Sequence, residues 1–184
     1  MNNVEIRLKK EKLIQTIKNN LKGGELKTVE KSILDKNDPF LSYLFAKEIN
    51  GADINSHLNV VINSNDAQMM YTFAMEIPCN KDLIIDGLSR IGDAKWLYFL
   101  AWADGVNIDK LLDELIKTND INYIYSFGIN IPNADKNKII KYIISTNNIQ
   151  YINNLGRLGI SREERSELIR QAEINNIRKL KISK

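Results

Sequence analysis

Five stretches of this chain repeat one another, and the repeat constrains the fold more than any other feature. DPFLSYLFAKEI begins at Asp38, DAQMMYTFAMEI at Asp66 and DAKWLYFLAWAD at Asp93. DINYIYSFGINI follows from Asp120 and NIQYINNLGRLGI from Asn148, so the starts lie 28, 27, 27 and 28 residues apart. A period of that length is one supersecondary unit, too small to bury its apolar face alone and obliged to stack on its neighbours.

The columns read as helices. The first position is Asp four times and then Asn, residue types that accept hydrogen bonds from the orphan amides of a helix start, and Pro39 suits the first helical position. Apolar residues recur three, four, seven and eight positions on, as in Met69, Met70, Phe73 and Ala74, which is one helical stripe. The eighth column (Ala46, Ala74, Ala101, Gly128, Gly156) is small, so another backbone is expected to approach closely there. Gly51, Pro78, Gly105 and Pro132 stop each helix. Counting back from each start, Ile62/Val61/Leu58, Leu88/Ile85, Ile116/Leu115/Leu112 and Ile144/Ile143/Ile140 predict a second helix per unit.

Leu26 to Leu34 reads as the second helix of a leading partial unit, and a helix from about Val4 to Leu21 precedes Gly23-Gly24. Ser161 and Glu164 form a capping box that opens a last helix, expected to run to about Ile174. No alternation of period two marks a strand. The expectation is an all-α, right-handed α-solenoid of about twelve short antiparallel helices, one domain over 1–184. Residues 1–37 are its N-terminal cap helices, 38–160 the repeat body and 161–184 a C-terminal capping helix and tail.

Helix pairs with a capping Asp and a small-residue column resemble HEAT-type repeats in a short form. The phrase Y-x-F-A with N-G-A-D-I after it resembles degenerate helical repeats in uncharacterised proteins of AT-rich bacteria and their phages. The resemblance covers roughly Asp38 to Ile160 and implies a fold and a role as a binding surface. It carries no catalytic residue.

Composition narrows the function. A single His (His57) excludes sites that need several His ligands, and a single Cys (Cys79) excludes an internal disulfide framework. The longest apolar run, Trp96 to Ala103, falls far short of the ~20 residues of a membrane span, and MNNVEIRLKKEK lacks a secretory apolar stretch. A cytoplasmic location without membrane contact is therefore expected. Neither a GxGxxG nor a Walker A motif is present, and GGELKT at Gly23 lacks phosphate-loop spacing. His57 and Cys79 read as structural residues, and the Tyr column (Tyr43, Tyr71, Tyr98, Tyr125) as packing between repeats. The pairs Asp82/Asp86 and Asp109/Asp113 read as solvated helix faces. No catalytic residue, metal or cofactor is expected, and the chain reads as a non-enzyme.

Two faces remain for a protein partner. Outward positions of the second helices form a stripe of Lys31, Asn59, Asp86, Asp113 and Lys141, mixed in charge. On the first helices, the outer face is polar except in the unit from Asp93, which places Lys95, Phe99 and Trp102 there, with Met75 in the unit before. Aromatic side chains on an exposed face are the material of binding hot spots, for a partner or a second copy of the chain. The leading expectation is a protein-interaction module. Its resemblance to phage-type proteins implies, further, an inhibitor of a host nuclease or defence enzyme.

The alternative expectation is nucleic-acid binding through the ends. The net charge of +3 is uneven: residues 1–31 hold eight Lys/Arg against four Asp/Glu and 161–184 seven against four, while the body between is acidic. Lys9, Lys10 and Lys12 cluster on the first helix, and Arg162, Arg165, Arg170, Arg178, Lys179 and Lys181 on the last.

Overall fold

Every α-helix from the third onward starts on a side chain that satisfies its own orphan amides, and this local chemistry sets the element boundaries. The computed structural model describes residues 3–182, with side chains for 4–179. Its elements are α1 (Asn3–Asn20), α2 (Gly24–Leu34), α3 (Pro39–Glu48), α4 (Ile54–Asn63), α5 (Ala67–Glu76), α6 (Lys81–Ile91) and α7 (Ala94–Leu100). They continue with α8 (Ile108–Lys117), α9 (Ile121–Asn130), α10 (Lys136–Ser145), α11 (Ile149–Asn154), a 3₁₀ helix (Leu155–Leu158) and α12 (Arg162–Ile182). Among the described residues there are twelve α-helices and no strand, so the chain is an all-α solenoid.

The expected caps are in place: Asp38, Asp66, Asp93, Asp120 and Asn148 each accept an amide hydrogen bond from the first turn of α3, α5, α7, α9 and α11. The second helices carry an equivalent set that the column reading missed. Asp53, Asn80, Asn107 and Asp135 cap α4, α6, α8 and α10 in the same way. Each first-helix cap is preceded by a left-handed residue, namely Asn37, Asn65, Gly92, Asn119 and Asn147, with φ between 52° and 75°. Asn is the non-glycine residue that tolerates this region best, so a helix closes and the next opens across two to four residues. Ser64, Thr118 and Thr146 tighten the junction. Each hydroxyl donates to the carbonyl three residues back and accepts the amide of the following cap.

The chain divides into two compact units, Met1–Val106 and Asn107–Lys184. In the first, α1, α3, α5 and α7 pack side by side, as do α2, α4 and α6, with α3–α4 and α5–α6 as antiparallel hairpins. Phe45, Phe73 and Leu100 from one layer and Leu58, Ile85 and Leu88 from the other are completely buried. Each such side chain contributes about 1.5–3 kcal/mol of transfer free energy. In the second unit α8 to α12 pack in sequence order around Leu112, Phe127, Ile143 and Leu155.

Three details differ from expectation. The last helix continues to Ile182, past Ile174, because the side-chain amides of Asn175 and Asn176 donate to Asn147 at 3.0 and 3.3 Å and hold the extra turns in place. In the eighth column, side chains and not backbone come close. A Cβ on Gly128 would lie 3.0 Å from Ile139 and 3.1 Å from Leu158, and one on Gly156 would meet the Arg165 guanidinium. The third difference is in α7. In the units from Asp38, Asp66 and Asp120 the first helix ends on an isoleucine bonded to the carbonyl four residues back (Ile49 to Phe45, Ile77 to Phe73, Ile131 to Phe127). The unit from Asp93 is one residue short there. Ala101, Trp102 and Ala103 each bond three residues back instead, a 3₁₀ ending at 3.0–3.2 Å.

Candidate functional site

A large side chain faces outward at the end of α7. Trp102 is 52% exposed, and Met75, which holds the same register position on the neighbouring α5, is 43% exposed. Behind them lies a connected aromatic cluster: Tyr71 meets Trp96 at 5.3 Å and Phe99 at 6.4 Å, and Phe99 also touches Trp96 and Tyr98. The Lys95 ammonium sits 4.7 Å from the centre of the Trp96 ring. Phe99 is half-buried and supports the cluster, which leaves Trp102 as the exposed aromatic of this face.

The Tyr column does bridge repeats. The Tyr43 hydroxyl donates to Glu76 of the next unit, which also receives Lys47 at 2.6 Å, and the Tyr125 hydroxyl donates to the Asn154 carbonyl at 3.0 Å. Lys47 first and then Tyr43 hold the Glu76 carboxyl below its ordinary range, while burial and the adjacent carboxylate push Tyr43 up.

On the second helices the expected stripe is exposed throughout: Lys31, Asn59 and Asp86 in the first unit, Asp113 and Lys141 in the second. Lys138 pairs with Asp113, so part of the acidic centre is already neutralised within its own unit.

Part of each basic end is engaged in the fold. Lys10 pairs with Asp38, and Lys18 with Glu48 at 2.8 Å. Arg165 donates to the Ser161 and Asn153 carbonyls, closing the 3₁₀ segment, and Gly156 leaves room for its guanidinium. Arg170 forks onto Glu167 and draws that carboxyl down to about 2. Lys9, Lys12, Arg162, Arg178 and Lys179 are exposed. The side chain of Lys181 lies outside the described residues.

Two polar side chains are buried within the first unit. His57 and Ser42 are both fully buried, and neither His57 Nδ1 nor Ser42 Oγ has a hydrogen-bond partner among the described residues. His57 Nε2 donates to Glu30 at 3.2 Å, and its ring stacks on Phe45 at 5.0 Å. Burial holds the imidazole pKa below its ordinary value against the pull of Glu30. A substrate reaches none of these atoms. Burial likewise pushes the Cys79 thiol up, away from the thiolate form a nucleophile needs. Among the described residues no group of three or more His, Cys, Asp or Glu side chains is placed to hold a metal, and no helix is long and apolar enough to cross a membrane.

Comparison with protein-family models, with curated proteins and with solved structures finds no match.

Proposed function

We propose that this protein is a non-enzymatic interaction module that captures another protein through the face of α5 and α7 around Trp102. One observation carries the reading: a tryptophan held half in solvent at the one first-helix end, among the three from Asp38 to Ala103, that is a residue short. The ring cluster of Tyr71, Trp96 and Phe99 packs α5 against α7, the helix from whose end Trp102 projects. A tryptophan at the centre of such a contact typically contributes 2 kcal/mol or more, roughly 30-fold in affinity. Nucleic acid is the weaker reading, because Lys10, Arg165 and Arg170 already serve contacts within the fold.

The test compares wild type with Trp102→Ala as baits in lysate. Proteins retained by the first and lost by the second are the expected partners, and binding a purified one should shift Trp102 fluorescence to the blue. Identical capture by both baits refutes the surface, and a concentration-dependent dimer lost in Trp102→Ala assigns it to a second copy. If the partner is a nuclease or defence enzyme, its turnover with and without this protein tests the inhibitory role that the phage-type resemblance implies for a cytoplasmic module.

A further inference from the structure

A second feature of the first unit is independent of Trp102. A groove of about 550 Å³ runs between α1 and α5 with α3 as its floor. Its size falls within the ~300–1,000 Å³ common to ligand and peptide sites. Ile6, Arg7 and Lys10 form one wall, Phe40 and Tyr43 the floor, and α5 supplies Met69 and the carboxylates Asp66 and Glu76 on the other side.

Charge accounting in this groove singles out one residue. Lys10 is held by Asp38, and Lys47 beside it by Glu76. Arg7 lies within ion-pair distance of no carboxylate among the described residues. Its guanidinium instead lies 4.6 Å from the centre of the Phe40 ring. Stacking on an aromatic face restricts the guanidinium plane and leaves its edge donors open, which is how arginine is prepared for bidentate contact with a carboxylate. Ile6, Met69 and the Phe40 ring beside it ask for apolar cover. Asp66 and Glu76 across the groove repel a polyanion, so a phosphate backbone is a poor occupant, whereas a single carboxylate among apolar residues meets both demands.

We infer that this groove takes a peptide segment of a partner protein, with an Asp or Glu side chain on Arg7 and apolar neighbours against Ile6 and Met69. Selection of a random peptide library displayed on phage tests it, using the full-length protein as target. Peptides enriched on wild type should carry an acidic residue between apolar ones. A synthetic copy of the best peptide should lose roughly 10- to 100-fold in affinity when its acidic residue becomes the amide, and by a similar factor on Arg7→Gln, because each change removes the same charge-assisted pair. The two changes together should cost no more than either alone. Trp102→Ala should bind the peptide as wild type does, so this result stands or falls apart from the Trp102 surface. Arg7 is exposed, and an unchanged melting profile of Arg7→Gln excludes misfolding as the cause of any loss. Enrichment of peptides without a carboxylate, equal enrichment on Arg7→Gln, no enrichment on wild type, or peptide loss in Trp102→Ala would each overturn the inference.

Discussion

His57 supplies the sharpest quantitative prediction, because the repeat itself provides the control. It stands four residues after the cap Asp53, and the same position is Ile84, Leu111 and Ile139 after Asn80, Asn107 and Asp135. All four side chains are fully buried. Replacing His57 by Leu removes the orphaned Nδ1, whose burial costs about 1–3 kcal/mol, and also removes the Nε2–Glu30 hydrogen bond, a loss of about 1.5–3 kcal/mol for a charged acceptor. Glu30 keeps the Asp53 amide at 2.7 Å and some solvent, so the two effects nearly cancel near neutral pH. The pH dependence does not cancel. Burial lowers the His57 pKa in the folded state, so from about 6.5 downward the unfolded chain takes up a proton that the folded chain refuses. This contribution is fully present above about 6.5 and is lost as pH falls toward the folded value, at up to about 1.4 kcal/mol per pH unit. The carboxylates Asp38, Glu48 and Glu76, whose folded pKa values are also depressed, act at lower pH and equally in both proteins. Urea denaturation followed by circular dichroism between pH 5 and 8 should give wild-type and His57→Leu curves that coincide within about 1 kcal/mol at pH 8 and diverge below pH 6.5, the variant being the more stable. Parallel curves across that range would refute the reasoning.

Two further substitutions probe the repeat geometry. Gly128→Ala places a Cβ between Ile139 and Leu158 at 3.0–3.1 Å, and overpacking of about 1–3 kcal/mol should outweigh the helix-propensity gain of up to about 1 kcal/mol. A net loss of about 1 kcal/mol in urea denaturation is expected, and a stabilised variant would contradict it. Asn119, at φ 57°, should accept Gly with little change and lose about 1–2 kcal/mol on replacement by Ala, read as the difference between the two variants' unfolding midpoints.

The repeat was legible because stacking imposes the same demand on every unit. Leu58, Ile85 and Leu88 face the same kind of neighbour, so apolar residues recur in register and the helices announce themselves. Caps at Asp38 and its equivalents were legible for the same reason. Asp53, Asn80, Asn107 and Asp135 were not, since they follow the unit starts by 15, 14, 14 and 15 residues and drift out of a fixed column. The left-handed Asn residues were visible only as composition. Positive φ is a backbone property that an Asn does not declare. The extra turns of α12 depend on Asn175 and Asn176 reaching Asn147, a contact between residues 28 and 29 apart that no local pattern signals.

The candidate surfaces follow the opposite logic. Residues that stacking explains recur, and residues that depart from the column are those that stacking leaves without a purpose. Phe99 breaks the polar rule of its face and yet is absorbed by Tyr71 and Trp96, so departure from a column is not enough by itself. Trp102 departs from the column and stays exposed at the register position that Met75 also holds on α5; at its helix end three successive 3₁₀ bonds replace the bond four residues back, and Ala103 takes the buried place that Ile49 and Ile77 fill in the preceding units. Arg7 precedes the repeat body altogether, and it alone among the cations lining its groove lacks an ion-pair partner among the described residues. In both places the fold uses backbone and ring contacts to hold a side chain out of reach of its own packing. Both side chains are left open to a contact from outside the chain, which is the physical ground for seeking partners there.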